Sequence, residues 1–258
     1  MNVTDYIEKS LNYLFAILPQ KKPDAQQAEV VKIIAHRGAH DHNNGIIENT
    51  LAAFENAGKH GCWGSELDIH FTKDEEPVVH HDPDLHRLFK NKSHIKDLTL
   101  QELRTIAPEI PTLEEVIKAI AAQQVLFIEL KTPIKNEQRL QERLKNLTPG
   151  KDYFLISLDE KILANLHLFP KSCQLLIPVH NNTGRFCQLV LEKDYAGVVG
   201  HFLLLHNGKI KALKESHKFY GVGFIESRQS LYRELNRGIS WIFTNKAGLI
   251  NQYINELK

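Results

Sequence analysis

The sequence predicts a single (β/α)8 TIM barrel with a short insertion after the second strand. Three observations lead there. From Val30 onward, short β-branched or apolar runs alternate with helical patterns, the alternation repeats eight times, and it occupies about 230 residues. Strict alternation argues for a parallel sheet joined by helical crossovers. Eight units in that length close into a barrel rather than spread as an open sheet.

Taken in order, VVKIIAHRG reads as the first strand, with a helix opening near Glu48 in ENTLAAFENAGKHG and closing at Gly61. SELDIHFT is the second strand, and EPVVHHDPDL a short extended piece. The polar stretch from Pro83 to about Ala107 is the insertion, carrying KNKSH and the helical DLTLQELRTI. PTLEEVIKAIAAQ starts as a helix at Pro111 and Thr112, with Glu114 and Glu115 in the first turn, where the helix dipole favours acids. VLFIELK is the third strand, followed by helix NEQRLQERLKNL. The remaining units are YFLISL with EKILANLHLF, CQLLIPV with RFCQLVLEKD, AGVVGHFLLL with KIKALKES, FYGVGFI with SRQSLYRELNRG, and SWIFT with KAGLINQYINEL.

Residues 1–29 precede this pattern and 30–258 form the barrel domain. Apolar positions near Val3, Ile7, Leu11, Leu14 and Leu18 fit a helix that packs against the barrel. Asp5 and Glu8, with no basic lead-in, argue against a secretory signal, and the absence of a basic polar face argues against membrane contact. No apolar run approaches the ~20 residues that cross a bilayer. A net charge of +1 offers no field for a polyanion, so nucleic acid is not an expected partner. Cys62, Cys173 and Cys187 are odd in number and widely spaced, which suits neither a disulfide framework nor a zinc pattern and favours a cytoplasmic setting.

Functional side chains in such barrels stand at the C-terminal strand ends. His36 and Arg37 end the first strand, and Glu66 and Asp68 lie two apart on one face of the second. His81 and Asp82 follow PVVH, and Glu129 and Lys131 repeat the two-apart spacing on the third strand. Unpaired carboxylates in a barrel interior are costly, so three of them call for a cation. Oxygen-only ligation by Glu66, Asp68 and Glu129 suits one hard divalent ion, Mg²⁺ or Ca²⁺, with Mn²⁺ also compatible. Pairing with Arg37 and Lys131 in a satisfied polar layer is the structural alternative.

The chain resembles the glycerophosphodiester phosphodiesterase family. The resemblance rests on AHRGAH at 35–40, ENTLAAFENA at 48–57, ELDIHFTKD at 66–74, VVHHDPDL at 78–85, IPTLEEVI at 110–117 and FIELK at 127–131. ISLD at 156–159 and IFTN at 242–245 are fainter versions of later family motifs. The resemblance implies that His36 and His81 are the catalytic histidines and that Glu66, Asp68 and Glu129 hold the metal. Arg37 and Lys131 then contact the phosphate, and Glu48 and Asn49 support the site. The expected substrate is a small glycerophosphodiester, cleaved to an alcohol and glycerol 3-phosphate, with His36 as base and His81 as acid. Alternatives are the same chemistry on lysophospholipids, and a barrel that binds phosphodiesters without turnover.

Four positions depart from the family pattern. Ile47 stands where proline is usual, Glu75 where glycine is common, and Asn245 where aspartate is usual. YGVGFIES replaces a tryptophan-containing motif on the seventh strand, and Phe224 is the residue that can substitute for the missing aromatic. Of the remaining histidines, His70 is expected to be solvated and His80 to face away from His81. His40, His42 and His86 fall in loops at the same end of the barrel.

Overall fold

The computed structural model describes residues 13, 15–179 and 182–258. Eight parallel strands form the barrel: β1 (Lys32–Ala35), β2 (Gly64–Phe71), β4 (Val125–Leu130), β5 (Tyr153–Ser157), β6 (Gln174–Leu176), β7 (Gly197–His201), β8 (Phe219–Gly223) and β9 (Trp241–Thr244). β1 pairs with β2 on one side and β9 on the other, which closes the ring. The extended piece after the second strand is β3 (Pro77–Val79), a short antiparallel strand that prolongs β2 beyond the barrel.

Helices follow the strands in turn: α2 (Leu51–Lys59), α3 (His86–Phe89), α4 (Leu100–Ile106), α5 (Leu113–Ile120), α6 (Glu137–Leu144), α7 (Glu160–Ala164), α8 (Thr183–Glu192), α9 (Asn207–Glu215), α10 (Arg228–Asn236) and α11 (Ala247–Asn255); α1 (Ala25–Glu29) precedes β1. Their starts are written in the sequence. Thr112 accepts from the Glu115 amide at 3.2 Å while the Glu115 carboxylate takes the Thr112 amide at 2.7 Å, satisfying two amides that the first turn of α5 leaves unpaired.

Two expectations shift. The helix placed near Glu48 begins at Leu51, because Asn49 sits at φ 57 and Thr50 is the extended N-cap. Glu48 and Asn49 are thereby free of the helix and turn inward. The helix expected over EKILANLHLF is the five-residue α7, which ends at Asn165 well before Pro170.

Apolar residues fill two separate layers. Inside the barrel, Ile34, Phe127, Phe154, Ile156, Leu175, Val199, Trp241 and Phe243 pack together. At its lower end Trp241 stacks on Phe219 at 4.7 Å, and the Lys32 ammonium lies 4.1 Å from the Trp63 ring centroid. This plug forces the open space to the opposite end, where the strands finish. Removing a ring such as Phe127 by Phe127→Ala costs about 3–5 kcal/mol. Outside the barrel, the helices bury a larger layer that includes Phe54, Leu113, Leu140, Leu163, Phe186 and Ile250. The insertion carries its own small core of Val78, Leu85, Ile95, Leu103, Ala107 and Ile110, so its loops rest on a packed base.

The expected N-terminal helix positions Val3, Ile7, Leu11 and Leu14 lie outside the described residues. Phe15 meets Phe202 edge-on at 5.8 Å, and the Arg233 guanidinium covers its face at 4.8 Å. Among the described residues, no helix is long and apolar enough to cross a membrane. All three cysteines are buried free thiols.

Candidate active site

Parity on β2 points Glu66 and Asp68 to the same side, and register sets Asp68 beside Glu129 of β4. All three carboxylates are buried, and they can offer oxygens that lie within 4.8 Å of one another. Lys131, just past β4, bonds Asp68 Oδ1 at 2.8 Å and Glu129 Oε1 at 2.7 Å. Asn49 Nδ2 donates to Asp68 Oδ2 at 2.8 Å, and Arg37 Nε lies 3.4 Å from the same oxygen. The Arg37 amide donates to Glu66 Oε2 at 2.9 Å. Glu66 Oε1 is buried with no hydrogen-bond partner.

Three carboxylates thus face two cations, with one oxygen orphaned in a place where an unmet carboxylate costs several kcal/mol. Burial and the neighbouring Asp68 and Glu129 charges push Glu66 well above the carboxylate range. Burial also raises Glu129, while Lys131 and Arg37 hold Asp68 down against its own burial. A hard divalent cation would relieve this conflict, and the oxygen-only donor set of Glu66, Asp68 and Glu129 fits one.

Two histidines flank the triad. His36 follows β1, and its Nδ1 lies 2.7 Å from Asn245 Oδ1 just past β9. Asn245 Nδ2 donates to Glu226 at 2.9 Å, which fixes the amide with its oxygen towards the ring. His36 Nδ1 therefore carries a proton and Nε2 is the open nitrogen, 3.7 Å from Glu66 Oε2. Burial, then the Arg37 charge, lower the His36 imidazole to about 4. His81 Nδ1 instead faces a carboxylate, Asp82 Oδ1, at 2.8 Å. Burial lowers His81 as well, helped by the Lys131 and Arg37 charges, with the Asp68 charge and the Asp82 hydrogen bond opposing it.

Glu48 accepts from Arg37 Nη1 at 2.9 Å and from both terminal nitrogens of Arg87 at 2.6 and 3.1 Å. Although burial opposes it, those two arginines hold the Glu48 carboxyl at about 2. The loops that carry these residues are strained: Arg37, Asn49 and Phe224 all have positive φ, at 56, 57 and 66. Gly38, at φ 74, is required where the loop crosses α2, since a Cβ there would lie 2.7 Å from the Ala53 backbone.

His36, Arg37, Glu66, His81, Glu129 and Lys131 line one cavity of about 340 Å³ at the strand ends. Its other wall is apolar: Ile156, Leu158, Ile177, Pro178, Val179, Val199, Phe224 and Phe243, with His201 among them. Phe224, the candidate for the missing aromatic, lies in this wall with its ring 6.3 Å from His36 and 5.5 Å from His201.

The profile of the glycerophosphoryl diester phosphodiesterase family matches residues 36–177, more than half of the 258-residue chain. The chain belongs to this family. A glycerophosphodiester phosphodiesterase of Bacillus altitudinis is 36% identical over 151 residues, 54% of this chain and 59% of that protein. Another from Caldanaerobacter subterraneus is 37% identical over 124 residues, 43% of this chain and 50% of that protein. The aligned stretch thus spans about half the length of these curated relatives. The family fold extends further than the sequence match. A solved glycerophosphodiester phosphodiesterase of Thermotoga maritima superposes with TM-score 0.73 at 24% identity, covering 86% of this chain and 97% of that one. An Oleispira antarctica phosphodiesterase solved with sn-glycerol-3-phosphate gives TM-score 0.72 at 24% identity, covering 90% and 100%.

Every site residue expected from the family pattern converges on the cavity or on its supporting network. His80 faces away, its Nε2 3.2 Å from the Asp84 carbonyl. His70 is a correction: it is buried rather than solvated, and its Nε2 lies 3.1 Å from the His81 carbonyl. The turn that follows β3 brings the His81 carbonyl to the ring, which strand parity alone does not reveal. His42 is 4.0 Å from Glu48 and largely exposed. Sequence reading missed Arg87, Glu226, His201 and the aliphatic wall. Arg87 had one signal, a cation in the insertion five residues beyond Asp82; the wall residues had none.

Proposed function

We propose that the protein hydrolyses glycerophosphodiesters to an alcohol and glycerol 3-phosphate, using one divalent ion held by Glu66, Asp68 and Glu129. The observation that carries this reading is the buried carboxylate triad, with its orphaned Glu66 oxygen, in one cavity with two histidines whose Nδ1 atoms are both engaged. When bound, the ion, Mg²⁺ or Ca²⁺ with Mn²⁺ as a substitute, neutralises charge developing on the non-bridging phosphate oxygens.

The side chains divide the remaining work. Arg37 and Lys131 supply cationic donors for the phosphate oxygens. His36 Nε2, open because Asn245 holds the proton on Nδ1, removes a proton from the attacking water as its oxygen bonds to phosphorus. His81, as the imidazolium, gives its Nε2 proton to the leaving alkoxide as the P–O bond breaks. The partners support this division. Asp82 stabilises a charged ring, whereas the neutral Asn245 amide fixes a tautomer without adding charge. Solvent then returns a proton to His81 and takes one from His36. The buried free thiols support a cytoplasmic setting for the reaction.

The test is release of glycerol 3-phosphate from glycerophosphocholine and glycerophosphoethanolamine with Mg²⁺, Ca²⁺ or Mn²⁺, with chelator, and with His36→Ala. Metal-dependent release that the variant lacks establishes the reaction. No release under any ion, from folded protein, rejects it.

A second reading keeps this chemistry but takes lysophospholipids. The apolar wall favours it: Leu158, Val179 and Phe224 are 39%, 39% and 47% exposed around a cavity continuous with the phosphate site. Choline release from lysophosphatidylcholine in excess of that from glycerophosphocholine would select it.

A further inference from the structure

Arg87 stands on α3 in the insertion and is not among the residues that line the cavity. Its guanidinium nevertheless joins two carboxylates. Nη1 and Nη2 hold both oxygens of Glu48, while Nε donates to Asp82 Oδ2 at 2.5 Å. The opposite oxygen of Asp82 receives His81 Nδ1 at 2.8 Å, and Glu48 Oε1 also takes Arg37 Nη1 at 2.9 Å. The side chains form one unbroken chain, Arg37–Glu48–Arg87–Asp82–His81. It runs from the cation placed for the phosphate to the histidine placed for the leaving group.

We propose that Arg87 is a positioning residue: by fixing Asp82 it sets the ring orientation and Nδ1–H tautomer of His81, and through Glu48 it ties that setting to Arg37. Three features make the arrangement suited to this role. Asp82 can rotate about its side-chain torsions, and among the described residues Arg87 is what anchors its second oxygen. A guanidinium presents its donors in a rigid planar fork, so it can hold Glu48 and Asp82 together, whereas a lysine ammonium is a point donor. The base of the fork is firm, because Leu85 beside α3 is fully buried in the insertion's own core. The insertion thus carries a part of the catalytic assembly instead of only spanning a gap. An exposed ion pair of no consequence would leave the His81 ring unchanged on removal.

The deciding measurement is a ¹⁵N spectrum of histidine-labelled protein, with His81 signals identified by their loss in His81→Ala. Wild type shows the Nδ1–H tautomer. In Arg87→Ala that signal is lost or gives way to a mixture of tautomers, while His80, held by the Asp84 carbonyl, stays in place. Added guanidinium restores the His81 signal, because the position of Arg87 is open to solvent, whereas urea, similar in shape but uncharged, does not. Arg87→Lys, which keeps the charge and loses the fork, gives an intermediate spectrum and serves where the alanine variant fails to fold. An unchanged His81 spectrum in either folded variant overturns the proposal, as does equal restoration by urea.

A kinetic arm rests on the phosphodiesterase reading. Arg87→Ala should lower kcat about 10–100-fold, the usual range for removing a group that orients a site's ligands, with little change in KM. The loss should shrink for a diester with a nitrophenolate leaving group, which needs no proton from His81. If wild type cleaves no diester, the functional reading falls, and the spectra still decide the role of Arg87.

Discussion

The two walls of the cavity are built on opposite physical terms. On the β1–β4 side, charged and polar groups crowd one another, with Lys131 between Asp68 and Glu129, Asn49 on Asp68, and Glu66 Oε1 left without a hydrogen-bond partner. On the β5–β9 side, Leu158, Ile177, Val179, Val199 and Phe224 present carbon to the same space. The family profile ends at Ile177, so Val179, Val199 and Phe224 lie beyond the matched stretch while the triad and both histidines lie within it. In the proposed reaction the polar wall carries the chemistry and the apolar wall receives the substituent beside it.

This contrast predicts its own largest effect at Glu66. Glu66→Ala removes a triad member whose outer oxygen has no other partner, so calorimetric binding of Mg²⁺ or Mn²⁺ should be lost together with turnover. His36→Ala should instead retain metal binding and reduce kcat by about 10²–10⁴-fold, the range of a missing general base. Metal binding that survives Glu66→Ala but disappears in His36→Ala would reverse the roles assigned to the polar wall.

A smaller effect separates the walls by pH. The Glu48 carboxyl is held at about 2, against 4.5 in an unfolded chain, by Arg87 and Arg37 despite its burial. The sign follows from a depressed carboxyl: its contribution is full above pH 4.5 and is lost as pH falls towards 2. A shift of that size corresponds to about 3 kcal/mol at most, and solvent screening of the partly open ion pairs reduces it. Wild type should therefore be more stable than Glu48→Gln near neutrality, with the two converging in acid. Urea unfolding across that range checks it, and a gap that stays constant with pH would show that the carboxylate charge is not the source. Val179→Ala, on the other wall, should shift stability equally at every pH.

The same contrast explains how much could be read in advance. A carboxylate on an interior strand position violates the expectation for a barrel core, so Glu66, Asp68 and Glu129 stood out, and parity gave the shared direction of Glu66 and Asp68. The barrel was legible because the alternation of strand and helix patterns survives errors at individual boundaries. Leu158 and Val179 were illegible for the opposite reason: an aliphatic residue at a strand end looks like core until its exposure is known. Arg87 was hidden by distance, since an arginine in a polar insertion resembles any solvated cation until the loop folds over Glu48. His70 is buried, not solvated, because the antiparallel β3 hairpin returns the His81 carbonyl to its ring, a pairing that no local pattern encodes. The positive φ of Glu75, 61, does match the glycine usual at that turn, so a departure in residue type left the backbone conformation intact.

Phe224 gives the finest test of the apolar wall. A bulky residue at φ 66 is strained by about 1–3 kcal/mol, and its ring is 47% exposed, so little burial compensates for the strain. Its ring meets His36 edge-on and His201 at a tilt. Phe224→Gly relieves the backbone and deletes the ring, so the folded state should be as stable as wild type or more so. Binding should respond in the opposite direction. Losing part of a ring contact of this kind is worth about 1–2 kcal/mol, so KM for a diester bearing an apolar substituent should rise roughly 10-fold. KM for a glycerophosphodiester with a small polar alcohol should barely move. Equal losses on both substrates would mean that the ring orients His36 and does not select the alcohol, and the wall's role in recognition would then pass to Leu158 and Val179.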